Sequence, residues 1–173
     1  MFSMFRPKRK PFEDEAFALY NSAMKASRNP YLYKTCGVED SLEGRFEMIC
    51  LHVVLIIHRL NEDYERTAEL SQSLFDAMFA DMDQSLRQIG IGDMGIPRRM
   101  KHMMKSFNGR IHVYTEALEA RSRKKLEEAI KRNIFNSLKK NSDKLVEYVM
   151  RQKKHRKKAD IDQLIDGEVS FHG

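Results

Sequence analysis

An all-α, single-domain, irregular helical bundle with a basic N-terminal leader and a basic C-terminal tail is the fold class this sequence predicts. Three observations carry it. Leu70, Leu74, Phe75, Met78, Phe79, Met82, Leu86 and Ile89 fall within one half of a helical wheel. The stretch from Phe46 to Leu60 is apolar on nearly every side, yet its run is only about half the ~20 residues a bilayer span needs. No segment reads convincingly as a strand, and no internal repeat is present. With 173 residues, 42% of them hydrophobic, the chain is long enough for one domain with a real core. The expected organisation is a leader over 1–11, a helical domain over 12–150 and a charged tail over 151–173.

The elements follow in order. Phe12-Glu13-Asp14-Glu15 open a helix whose first-turn acids suit the helix dipole, and Phe12, Ala16, Tyr20, Ala23 and Met24 form its apolar side. Asn29-Pro30 ends it, and a loop over Tyr31–Val38 carries two tyrosines that either anchor on the core or stay free for a partner. Asp40 or Ser41 caps the next helix, the buried one, with His52 in its middle and Cys50 as a buried thiol. Asn61 to Ala68 connects to the long amphipathic helix that begins at Leu70. Three glycines and Pro97 then stop that helix and force a turn, and Pro97 suits the first position of the following helix. Along that helix Met100, Met103, Met104, Phe107, Ile111, Tyr114 and Leu118 make a narrow apolar stripe, and Gly109 marks a close approach or a bend. Leu126, Ala129, Ile130, Ile134 and Leu138 suit one more helix, and Ser142 caps another through Leu145, Val146, Val149 and Met150. Leu164 to Phe171 either docks back on the body or lies disordered.

Charge is unevenly placed. Arg6, Lys8, Arg9 and Lys10, with Arg151, Lys153, Lys154, Arg156, Lys157 and Lys158, hold 10 of the 31 basic residues and leave 21 against 21 acids in the body. Basic ends on a neutral body suit a polyanion, either RNA or an anionic membrane surface; the alternative is a pair of solvated tails. On the helix after Pro97, Arg98, Lys101, Lys105 and His112 collect within about 60° of the wheel. No signal peptide precedes the domain, so a cytoplasmic protein, peripheral to the inner membrane, is expected.

Candidate chemistry is sparse. Asp81 and Asp83 point about 160° apart on a helix, so Asp-x-Asp is not a metal pair here. Asp83 is four residues from Arg87, where an ion pair is expected, and Asp81 borders the buried stripe and needs a partner from another helix. Asp93 caps either the next helix or its own loop. His52 reads as a core histidine bonded to another helix, and it does not share a face with His58. Neither these nor His102 and His112 accompany a haem motif, and no nucleophile–base pair, phosphate loop or metal spacing occurs, so no cofactor and no enzyme are expected. The methionines Met48, Met78, Met82, Met94, Met100, Met103 and Met104 read as adaptable core filling, with a surface for varied apolar helices as the alternative.

In order and spacing, one constellation resembles the ubiquinol–cytochrome c chaperone family, the bacterial relatives of the mitochondrial complex III assembly factor. It comprises Gly44-Arg45-Phe46-Glu47, Leu51-His52, Leu74-Phe75, Asp81-Met82-Asp83, Leu86-Arg87, Gly90-x-Gly92-Asp93-x-Gly95-x-Pro97, Gly109-Arg110 and Tyr114-x-x-Ala117-Leu118. The resemblance implies a non-enzymatic, all-α chaperone for the cytochrome bc1 complex whose client is newly made cytochrome b. It also implies, for mitochondrial members, work near the ribosome with a small partner protein. This chain, without a long targeting extension, looks like the bacterial form. The expected contacts with client, ribosome or lipid are Arg98, Lys101, Lys105, Met100, Met103, Met104, Lys153, Lys154, Arg156, Lys157 and Lys158. The competing reading is an RNA- or DNA-binding protein using the basic helix 97–118 and the basic ends. As a helix-turn-helix that helix fits poorly, because the turn before it is too long.

Overall fold

Burial of one helix on nearly every side sets the architecture of the computed structural model, which describes residues 10–173; Arg6, Lys8 and Arg9 of the leader lie outside the described residues. Eight α-helices and one 3-10 turn occur among those residues, with no strand: α1 Glu13–Ser27, α2 Pro30–Lys34, α3 Leu42–Leu60, α4 Tyr64–Gln88, α5 Gly95–Glu119, α6 Arg123–Asn133, α7 Asp143–Lys157 and α8 Ile161–Ile165. Helix α3 is the centre, packed by α1, α4, α5, α7 and α8, while α6 bridges α5 to α7. Twelve α3 residues are buried, among them Met48, Leu51, Val54, Leu55 and Ile56. No helix among the described residues is long and apolar enough to cross a membrane.

Local chemistry explains the boundaries. Ser41, not Asp40, caps α3 by accepting the Gly44 N–H at 3.1 Å, and Asp40 instead pairs with Arg45 at 2.7 Å. Gly44 is required because a Cβ there would lie 1.9 Å from the Glu39 carbonyl oxygen. At the end of α4, Gly90 takes φ +84°, its N–H bonding to the Arg87 carbonyl and the Ile91 N–H to the Leu86 carbonyl. That double closure is a Schellman motif, which satisfies the last carbonyls of the helix and favours glycine at the left-handed position.

Several expectations are corrected. The segment after Asn29 is not wholly a loop: Asn29 accepts the Tyr31 N–H and Pro30 supplies a pre-set first residue, which together start α2. Tyr33 is anchored there, its hydroxyl donating to the Ser27 carbonyl. Helix α4 begins at Tyr64 rather than Leu70, since the Thr67 hydroxyl donates to the Leu60 and Asp63 carbonyls and closes the corner tightly. Helix α5 begins at Gly95, so Pro97 lies inside its first turn, where a missing N–H costs nothing. Gly109 meets no neighbour and α5 runs through it unbroken. Leu138 lies beyond α6 and is exposed. Ser142 stands at the cap position of α7, but the bond to the Asp143 N–H comes from the Asn141 side chain.

The largest difference concerns the basic run. Residues 151–157 are not a tail leaving the body; they are the last two turns of α7. Arg156 is buried, not a surface contact, because it continues the stripe Leu145, Val149, Gln152 at helical spacing. The chain then turns back, Leu164 enters the core, and Phe171 stacks 4.2 Å from the Arg156 guanidinium with its edge on His52. Gln152 clamps this strand-like end, accepting the His172 N–H and donating to the His172 carbonyl.

Among the polar ties that join the helices, three bear on the core and the space beside it. The His52 Nδ1–H donates to the Met48 carbonyl, which leaves Nε2 to accept the Tyr148 hydroxyl, both at 2.7 Å. Tyr20 on α1 donates to Asp81 on α4 at 2.7 Å, the partner that Asp81 needs. Arg110 on α5 forks onto the Glu47 carboxylate at 2.6 and 3.1 Å. Truncating Tyr148→Phe strands the buried His52 acceptor and is expected to cost about 1–3 kcal/mol in urea unfolding; an unchanged midpoint contradicts the tie. Burial lowers the His52 pKa to about 4. The native imidazole therefore stays neutral where the unfolded chain binds a proton, so stability falls as pH drops from about 6.5 to 4. The stability advantage of wild type over His52→Gln should shrink by about 3 kcal/mol across that window, and a pH-independent difference refutes the assignment.

Candidate functional site

The ties hold α1, α3, α4 and α5 around an open cleft of about 540 Å³. Its floor is apolar: Met24 from α1, Phe46 and Ile49 from α3, Met82 and Leu86 from α4, and Met103 from α5. These side chains reach one cavity because each continues the inward stripe of its own helix near that helix's edge. Arg28, Glu43, Arg45, Arg99 and His102 are exposed polar residues of its lining, while Asp81 is half-buried and the Glu47–Arg110 fork is set inside. Four of these polar groups have partners: Asp81 accepts from Tyr20, Arg45 pairs with Asp40, and Glu47 holds Arg110. Burial raises the Glu47 carboxyl above its ordinary range against the opposing pull of Arg110. Arg28 and Arg99 are exposed and form no ion pair among the described residues. Such a lining offers apolar contact with a cationic rim. Among the described residues no group of three or more His, Cys, Asp or Glu side chains is arranged to hold a metal ion.

Residues singled out from sequence are distributed over several places. Arg45, Asp81 and Met103 line the cleft, with Gly44 at its α3 end. Arg87, Asp83, Gly90, Asp93 and Pro97 build the α4–α5 corner. There Arg87 bridges Asp83 and Asp93 at 2.8 Å each, so Asp93 is an ion-pair partner and not a helix cap. Arg98, Lys101 and Lys105 are exposed on α5, Met104 is partly exposed beside them, and Met100 packs against the core. His52 is sealed in the core. Of the methionines, Met48, Met78 and Met82 are core, whereas Met94 is almost fully exposed.

Lys153, Lys154 and Lys157 meet Arg121 and Arg151 in a second groove of about 690 Å³, floored by Leu118 and Met150. Lys153 donates to the Leu118 carbonyl, and burial, then Arg121 and Lys157, lower its pKa. Lys158 is exposed just past α7, and Arg156 takes no part in the groove.

Sequence reasoning missed Arg28, Arg99 and Arg110 as cleft residues. The signal for α5 was present: Arg99, His102, Met103, Ser106 and Arg110 recur at helical spacing on the flank of the methionine stripe.

Comparison with known proteins places this geometry. The chain is 25% identical over 158 residues to "Ubiquinol-cytochrome-c reductase complex assembly factor 1" of Xenopus laevis, covering 89% of this chain and 78% of that protein. The crystal structure of the Cbp3 homolog from Brucella abortus superposes with a TM-score of 0.83 at 32% identity, covering 93% of this chain and 90% of that one. The nucleic-acid alternative finds no support in these matches. Residues 34–171, from the end of α2 to Phe171, match the ubiquinol-cytochrome C chaperone family, and the chain belongs to that family.

Proposed function

We propose that this protein assists assembly of a ubiquinol–cytochrome c reductase by holding newly made cytochrome b, and that it catalyses no reaction. The observation that carries the reading is the open apolar cleft between α1, α3, α4 and α5. Its floor of Met24, Phe46, Met82 and Met103 suits an apolar helix of a membrane protein that has not yet found its partners. Thioethers are flexible and polarizable, so one cleft accommodates several side-chain shapes without a large packing penalty. Asp81, Glu47 and Arg110 are committed to protein partners, so shape and apolar contact dominate recognition, with Arg28 and Arg99 adding positive charge at the mouth. The family and the names of its relatives support the same client complex.

Arg87, expected from sequence to pair with Asp83, does so and takes Asp93 as well. It ties the end of α4 to the turn before α5, and so holds one wall of the cleft in position.

The test is genetic and spectroscopic. Membranes from a deletion strain should lose the b-type signal in reduced-minus-oxidised spectra together with ubiquinol–cytochrome c reductase activity, and the wild-type gene should restore both. A Met103→Glu gene should fail to restore them although its product keeps wild-type helicity. A carboxylate facing an apolar helix in the cleft costs at least about 2 kcal/mol, roughly 30-fold in client affinity. Normal spectra in the deletion strain, or full rescue by Met103→Glu, overturn the reading.

A further inference from the structure

We propose that the corner between α4 and α5 is an interfacial membrane anchor, in which Met94 and Ile89 enter an anionic bilayer surface while Arg98, Lys101 and Lys105 hold its phosphates. The inference goes beyond client binding and does not depend on it.

Met94 is 96% exposed and Ile89 57% exposed, one on each side of the turn between α4 and α5. Met94 has φ −74° and ψ −27°, which continues the path of α5 one turn before Arg98. Its side chain therefore heads the same stripe as Arg98, Lys101 and Lys105, a line about 16 Å long at 1.5 Å per residue. The three cations form no ion pair among the described residues. Arg87 bridges the two nearby acids, Asp83 and Asp93, and Arg98, Arg99, Lys101 and Lys105 outweigh the one negative charge that bridge leaves. The corner thus presents positive charge beside uncovered apolar side chains, on a turn fixed by the Gly90 closure and the Arg87 bridge.

Apolar insertion combined with a basic flank is the chemistry of a protein that lies on an anionic bilayer. RNA answers only half of it. No Phe or Tyr occurs between Ile89 and Lys105 to stack a base, and a nucleic acid leaves Met94 in water. Because Ile89 and Arg99 also line the cleft, an anchored corner brings the mouth of the cleft to the bilayer surface.

The chain contains no tryptophan, so Met94→Trp introduces a single reporter at the tip. With vesicles of phosphatidylcholine and about 30% phosphatidylglycerol, its emission should shift to the blue and be quenched by brominated lipid. Neutral vesicles, or salt near 0.5 M (roughly a 4 Å screening length), should abolish the shift. Reversing Arg98, Lys101 and Lys105 to Glu in that background should weaken binding at least about 100-fold, each lost cation counting about fivefold. Co-sedimentation of the unaltered chain and of Met94→Asp, with helicity checked by circular dichroism, covers the case in which the tryptophan variant misfolds. Met94→Asp should bind anionic vesicles more weakly than the unaltered chain. An unshifted emission with vesicles, equal binding by Met94→Asp, or retention on RNA but not on anionic vesicles overturns the proposal.

Discussion

A buried helix must have every polar side chain answered, and the hydrogen bond from Tyr148 to His52 is the clearest instance here. Helix α3 is enclosed by five neighbours, so its one central imidazole has no water to turn to. One ring nitrogen bonds within α3 and the other reaches α7, 96 residues along the chain. That bond sets α7 against α3, and α7 then carries Gln152 and Arg156 to the places where the C-terminal segment closes over the core. Phe171 completes the arrangement by touching both His52 and Arg156. The guanidinium has no hydrogen-bond acceptor among the described residues, so the Phe171 ring face is the compensation within reach. Its pKa is lowered to about 10 by burial, which still leaves the group charged at neutral pH.

At the other end of α3 the same rule produces an opening. Glu47 is answered by Arg110 from α5, and Asp81 on α4 by Tyr20 from α1. These ties span the gaps between helices whose apolar stripes do not fully meet, and the space left over is the cleft. A cleft built in this way is lined mainly by apolar side chains, with its inner polar groups held by protein partners. Glu47 of the Glu47–Arg110 pair is itself buried, and the two partners satisfy each other within the wall of the cleft.

Much of the fold was legible from residue spacing, because amphipathic periodicity and burial share one cause. The apolar run of α3 told of a central helix, His52 in that run told of a cross-helix bond, and Asp81 at the edge of a stripe told of a partner. Asp83 and Arg87 told of their ion pair. The run 151–158 was misread because lysines and arginines in sequence look solvated, although Leu145, Val149, Gln152 and Arg156 keep a helical spacing that a periodicity test would have caught. The boundaries at Tyr64 and Gly95 depended on Thr67 and on the Gly92 carbonyl, contacts that pattern alone does not contain. Of the cleft, sequence marked Arg45, Asp81 and Met103 but not that they meet in one cavity. It draws on four helices, and nothing local marks Met24 and Met103 as neighbours across it. The resemblance named the family without locating a surface.

The cleft floored by Met24, Phe46, Met82 and Met103 is the surface on which the proposed client binding rests. The most direct measurement is site-specific photocrosslinking in cells that are making cytochrome b, with the reactive residue placed at Met103 in the cleft or at exposed Lys124 on α6. An adduct with cytochrome b from position 103 and none from position 124 is the result predicted. Adducts from position 124 with none from 103 would contradict the account and move the client to another face of the bundle.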